Sequence, residues 1–128
     1  TGTPQVYLME LSTAKSKRLT QKGKYNTSPE WSPDGSMITY TGIIGGQSAI
    51  FRIAADDRLG MAKQVSPKGM QAESPVWSSD GAMIAFQAKR GGDWKIYYVL
   101  SSGSTAQRLT NSAAGINETV PSWNNGLN

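Results

Sequence analysis

Apolar residues along the chain come in short runs, separated by clusters of Gly, Ser, Asp, Asn and Pro. Examples are Val6-Tyr7-Leu8-Met9, Ile50-Phe51-Arg52-Ile53, Met83-Ile84-Ala85-Phe86 and Ile96-Tyr97-Tyr98-Val99. No window sustains the 3.6-residue apolar period of an amphipathic helix. The runs instead place apolar residues side by side, which suits strands buried on both faces. Between Gly69 and Thr110 the pattern predicts strands at Pro75–Ser78, Met83–Ala88, Lys95–Leu100 and Gln107–Thr110. The breaks have turn chemistry. In Ser32-Pro33-Asp34-Gly35 the proline presets φ, the aspartate can hydrogen-bond the backbone and the glycine accepts positive φ. Gly45-Gly46, Gly91-Gly92 and Ser101-Ser102-Gly103 mark further hairpins.

These pieces recur. Pro29-Glu30-Trp31-Ser32, Pro75-Val76-Trp77-Ser78 and Pro121-Ser122-Trp123-Asn124 place the three prolines, and the three tryptophans, 46 residues apart. Arg18-Leu19-Thr20, Gln64-Val65-Ser66 and Arg108-Leu109-Thr110 form another register. Four short strands per period of this length are the signature of β-propeller blades, sheets of roughly 40–50 residues stacked face to face. The predicted fold is all-β, with residues 1–27 as the outer two strands of a blade, 28–66 and 74–110 as full blades, and 119–128 as the inner strand of the next. At 46 residues per blade, 128 residues amount to about 2.8 blades. Because propellers close with about four to eight, the chain is expected to be a fragment of a longer propeller or one half of an assembly. In the second case two copies form a homodimer that closes the ring.

Composition narrows the chemistry. The chain of 128 residues (13.8 kDa) has no cysteine and no histidine. Thiolate nucleophiles, histidine general bases, the Ser-His-Asp triad and Cys/His metal sites are therefore excluded, so no catalytic residue, cofactor or metal is expected. No run of 18 apolar residues is present, so no helical membrane span is expected. Thr1-Gly2-Thr3-Pro4 has no basic-then-apolar leader pattern. The net charge of +4 sits in one place. Lys15, Lys17, Arg18, Lys22 and Lys24 face only Glu10 in the first stretch, while the rest is balanced at eight bases and eight acids. Tyr25 is the sole aromatic next to that basic stretch, too little to indicate nucleic-acid binding.

The motif Pro-x-Trp-Ser-Pro-Asp-Gly, followed by Ile-x-Tyr/Phe, Ile-Tyr/Phe and Arg-Leu-Thr, resembles the TolB-type propeller repeat over residues 4–123. Two departures stand out: Ser79 replaces the turn proline, and Asn124-Asn125-Gly126 replaces Ser-Pro-Asp. The resemblance implies six blades, with the Pro-Trp strand innermost and the Arg-Leu-Thr strand outermost. By the same analogy Trp31, Trp77 and Trp123, with Pro29, Pro75 and Pro121, belong to the packed core between blades. It further implies a non-catalytic, protein-binding propeller of the periplasm or cell envelope, with a partner such as the lipoprotein Pal. The alternatives are an accessory propeller that gates a prolyl oligopeptidase-type peptidase, whose catalytic residues would lie outside this chain, and a structural unit without a ligand.

In the propeller path, the loops before each Pro-Trp strand share a face with the Gly-Gly hairpins, opposite the Pro-Asp-Gly turns. Lys24, Tyr25, Met70, Glu73, Arg90 and Trp94 sit on those loops and are the candidate partner-binding residues, because rigid scaffolds present binding residues on loops. Trp, Tyr and Arg are also the side chains enriched in hot spots. Asp56-Asp57 is a paired carboxylate, but in a loop two residues longer than its equivalents it reads as a solvated insertion, with too few ligands for calcium. Asn26-Thr27-Ser28 and Asn117-Glu118-Thr119 match the glycosylation sequon, idle in a bacterial-type repeat.

Overall fold

The computed structural model describes residues 2–56, 61–103, 105–110, 115–119 and 121–123. Asp57, Asn124 and Asn125 lie outside the described residues. Ten strands form three antiparallel sheets. A hairpin comprises β1 (Tyr7–Glu10) and β2 (Lys15–Arg18). A first four-stranded sheet runs β3 (Asn26–Trp31), β4 (Met37–Ile44), β5 (Gln47–Ala54) and β6 (Lys63–Gln64) in sequential order. A second repeats it with β7 (Gln71–Trp77), β8 (Met83–Lys89), β9 (Lys95–Leu100) and β10 (Gln107–Arg108). Among the described residues there is no helix. The fold is thus all-β, two propeller blades and the outer half of a third, stacked as an open arc.

The Pro-Trp strand starts earlier than expected. It begins at Gln71, four residues before Pro75, and in the preceding blade at Asn26. Both strands are interrupted by a bulge, between Thr27 and Glu30 and between Glu73 and Val76. Within it Ser28 and Ser74 adopt left-handed backbone, with φ of 54° and 57°. Each is followed by a proline that has no N–H for the ladder. Prolines and bulges are tolerated where these sit, on sheet edges, and they blunt an edge that would otherwise recruit strands.

Two repeated hydrogen-bond devices explain the other motif letters. Thr20, Ser66 and Thr110 each accept the N–H of the facing strand, from Val6, Ile50 and Ile96 at 3.2, 2.9 and 3.2 Å. Arg18, Gln64 and Arg108 reach forward to the carbonyls of those same residues. In the turns, the hydroxyls of Ser32 and Ser78 donate to Asp34 and Asp80 at 2.7 Å and accept the N–H of Met37 and Met83 at 2.9 Å.

The core is two layers between three sheets. Val6, Leu19, Ile38, Tyr40 and Ile53 fill the space between the hairpin and the first blade. Tyr40 stacks on Phe51 at 5.5 Å, and burial pushes its phenol up to about 12. Ile50, Val65, Met70, Ala72, Trp77, Ile84 and Phe86 fill the space between the two blades. The strand β7 lies across β3, β4 and β5.

Candidate functional site

The structure gathers the loops before the Pro-Trp strands and the Gly-Gly hairpins on one face. A cleft of about 210 Å³ opens there between the two blades, bordered by Tyr25, Ser28, Ile43, Ser48, Glu73 and Ser74. Tyr25 is 46% exposed, and Ile43 and Ile44 stand out beside it. Glu73 is held by the Ser48 hydroxyl, which donates at 3.2 Å, and the Ser74 N–H donates to Thr41 Oγ1 at 3.2 Å. The bulge thus aims Glu73 and the Ser28 and Ser74 backbones into the cleft on a rigid scaffold.

A second cluster forms on the same face at the far blade. Residues 115–118 dock on 93–95: Trp94 N–H donates to Asn117 Oδ1 and Glu118 N–H donates to the Trp94 carbonyl, both at 2.8 Å. Gly115 N–H donates to Asp93 at 2.6 Å, and Lys95, buried, donates to the Ile116 carbonyl at 2.6 Å. Lys89 Nζ lies 5.0 Å from the Trp94 ring centroid, a cation–π contact. Trp94 is partly buried and Arg90 exposed.

Of the six loop-face candidates, Lys24, Tyr25 and Arg90 are exposed, Glu73 and Trp94 partly so. The structure brings Tyr25 and Glu73 together and puts Trp94 and Arg90 in the second cluster. Met70 requires a correction. It is 6% exposed and packs with Trp77 and Phe86, because its loop folds over the interblade space. Trp31 requires another: expected in the core, it is 54% exposed. Trp77, at 9%, does wedge between blades, and its indole N–H donates to the Glu30 carbonyl at 3.2 Å. Trp123 repeats that bond to the Val76 carbonyl at 3.3 Å. Pro75 is fully buried, Pro121 partly, and Pro29 exposed. Exposure at Trp31 and Pro29 follows from position, since the described chain places no inner strand against them.

On the opposite face, Asp34 and Asp80 are fully committed to their turns. The Ser36 backbone N–H and the Ser32 and Ser36 hydroxyls hold the Asp34 carboxyl down at about 2. The Ala82 N–H and Ser78 hydroxyl lower Asp80 in the same way. Asp56 is exposed. Among the described residues no group of three or more His, Cys, Asp or Glu side chains is placed to hold a metal ion. Sequence reasoning missed Ser28 and Ser74, whose only signal is a serine directly before the motif proline. It also missed buried Lys95, which reads as an ordinary strand start.

The arc of bulged inner strands, turn-locked Asp residues and interblade indoles matches one family. The TolB beta propeller domain family covers residues 1–126. The chain belongs to it. A TolB structure from Agrobacterium tumefaciens superposes with a TM-score of 0.76 at 29% identity, covering 87% of this chain and 39% of the other. TolB from Acinetobacter baumannii gives 0.72 at 28% identity, covering 92% of this chain and 29% of the other. The chain therefore spans well under half the length of the TolB structures it matches. A puromycin-hydrolyzing peptidase of Mycobacterium tuberculosis shares the fold at 21% identity, with a TM-score of 0.64 over 80% of this chain and 16% of that one. No curated protein matches.

Proposed function

We propose that this TolB-like propeller is a non-catalytic binding scaffold of the periplasm or cell envelope, engaging a protein partner through its loop face. The observation that carries the reading is the Tyr25–Glu73 cleft: an exposed aromatic, an acid oriented by Ser48 and two left-handed bulge backbones, all on one face of the blades. An exposed tyrosine at the mouth of a fixed cleft suits a protein hot spot better than a reaction centre. The absence of histidine and cysteine from the sequence argues the same way. By resemblance, the partner is a Pal-like lipoprotein.

Titration calorimetry with the soluble domain of a Pal-type lipoprotein tests the reading. Tyr25→Ala and Arg90→Ala are expected to weaken binding by about tenfold or more each, the range of interface hot spots. Binding indifferent to both, or no binding at all, rejects it. The non-catalytic assignment of the chain itself is met by an esterase and peptidase screen, expected to be silent. Turnover that vanishes on Asp56→Asn would reject the non-catalytic assignment.

A further inference from the structure

The loop face has another opening, a notch between the hairpin and the first blade. It encloses about 230 Å³ over Tyr40 and Phe51, whose rings stack at 5.5 Å, with Lys22, Gly23, Ile43 and Ile44 around it. Gln5 closes the inner side, accepting from Asn26 Nδ2 at 2.7 Å and donating to the Gly23 carbonyl at 3.2 Å. The opening has a local cause. Between the two blades, Met70 turns inward and packs with Ala72, Phe86 and Ala88. Lys24, at the equivalent position, stays exposed and leaves the corresponding space unfilled.

The notch also holds an acceptor in need of a donor. Asn26 is 4% exposed. Its Nδ2 donates to Gln5 Oε1 at 2.7 Å and to the Lys22 carbonyl at 3.1 Å. Both partners are pure acceptors, which fixes the amide orientation and turns Oδ1 toward the notch. There it lies between two glycines, 2.9 Å from where a Cβ on Gly42 would stand and 3.4 Å from one on Gly23. Among the described residues no donor reaches Oδ1. A buried acceptor is costly to leave unpaired, so the fitting occupant of the notch brings a donor.

We propose that the notch receives a tryptophan side chain from an acidic segment of the protein partner, its indole N–H donating to Asn26 Oδ1. A dry cavity of about 150 Å³ holds a benzene ring, so the larger notch suits a bicycle, and indole nitrogen is a donor only. Lys22 stands on the rim with Lys24 two residues on, and the described lining has no acid. Carboxylates beside the tryptophan therefore complement the site. Ile43 borders both this notch and the Tyr25–Glu73 cleft, so one partner on the loop face reaches both. The inference rests on the binding-scaffold reading and names what such a partner inserts.

Nuclear magnetic resonance on the full chain tests the notch without any partner domain. N-acetyltryptophanamide, added up to about 10 mM, is expected to shift the Gly23 and Gly42 amides and the Asn26 side chain saturably. The naphthyl analogue keeps the bicyclic shape and lacks the donor, and is expected to bind about fivefold more weakly. An acetylated glutamyl-tryptophyl-aspartyl amide should bind more tightly than the neutral probe, and Lys22→Glu should remove that advantage only. Lys24→Met should turn inward as Met70 does and abolish binding of the neutral probe, while Lys24→Gln, which also removes the charge, should retain it. Absence of saturable shifts at Gly23 and Gly42, equal affinity for the naphthyl analogue, or undiminished binding to Lys24→Met would each overturn the proposal. Shifts confined to Tyr25 and Glu73 would overturn it too, while leaving the binding-scaffold reading intact.

Discussion

The first four-stranded sheet meets a neighbour on each side, and the two contacts use equivalent positions filled differently. Toward the second blade, Met70, Ala72 and Ala88 join Trp77 in a closed apolar layer. Toward the hairpin, the residues 46 positions earlier are Lys24, Asn26, Gly42 and Trp31. Lys24 and Trp31 point to solvent, and Asn26 is tied to Gln5 Oε1 at 2.7 Å and the Lys22 carbonyl at 3.1 Å. A methyl on Gly42 would sit 2.9 Å from Asn26 Oδ1 and 3.0 Å from Phe51. At these equivalent positions one interface is packed by apolar side chains, while the other, otherwise filled by Val6, Leu19, Ile38, Tyr40 and Ile53, has a polar amide resting on a bare backbone. Burial in a repeat protein belongs to the neighbour as much as to the residue, since each repeat packs only against those beside it.

The largest test of this contrast uses the tryptophans. Trp77→Ala empties a closed layer and should cost about 3–5 kcal/mol, the usual penalty for a buried large aromatic. Trp31→Ala should fall within about 0.5 kcal/mol of the parent, as surface changes do. Trp94→Ala should lie between. Urea unfolding of all three ranks them, and equal losses at Trp31 and Trp77 would erase the difference between the interfaces.

The second test exchanges one interface for the other. Gly42→Ala should destabilise by about 1–3 kcal/mol, because backbone and ring must yield to the added methyl. Asn26→Ala removes the obstructing amide, so the Asn26→Ala, Gly42→Ala double variant, which copies Ala72 and Ala88, should be less destabilised than the two single losses added. A strictly additive cycle would show that Asn26 is not what excludes a side chain at position 42.

Much of this was legible in the sequence because it is local. The 46-residue period and the turn residues announce blades, and Thr20, Ser66 and Thr110 mark the outer-strand clasp. These interactions close within one blade. What misled was either non-local or hidden in backbone. Trp31 has the same motif letters as Trp77, and nothing in those letters says that no strand among the described residues lies over it. Met70 sits among Pro67, Lys68 and Gly69, a loop by composition, yet the loop folds inward over an apolar gap. The inner strands begin ahead of their prolines because a serine takes left-handed backbone to carry the strand through the bulge. Of the candidate site, the shared loop face was readable, but the meeting of Tyr25 and Glu73 across two blades depends on that bulge.

A third test asks whether local devices ignore the contrast. Ser32→Ala and Ser78→Ala each leave the N–H of Met37 or Met83 without its hydroxyl acceptor. Each should cost about 1–3 kcal/mol, the penalty for an unsatisfied buried group. The two losses should agree closely, although one blade has an open inner face and the other does not. A loss at Ser78 much larger than at Ser32 would mean the turns sense the interfaces after all.

The smallest effect is the pH dependence of those same turns. Asp34 is lowered from 3.8 to about 2 in the folded chain, first by the Ser36 backbone N–H and then by the Ser32 and Ser36 hydroxyls, and Asp80 moves in the same direction through the Ala82 N–H and Ser78. A carboxyl whose folded value lies below its unfolded one binds fewer protons when folded. Its contribution is therefore complete above the unfolded value and is lost as pH falls toward the folded one. Stability should be flat in this respect above about pH 4 and decline toward pH 2. Both carboxylates are fully solvated, so salt and water screen the effect and it should be modest. Asp34→Asn should remove part of the acid slope, and Asp34→Asn with Asp80→Asn more of it, while both variants lose some stability at neutral pH. Thermal unfolding between pH 2 and 7 reads this directly. An acid slope unchanged in the double variant would show that the two turn carboxyls do not set it.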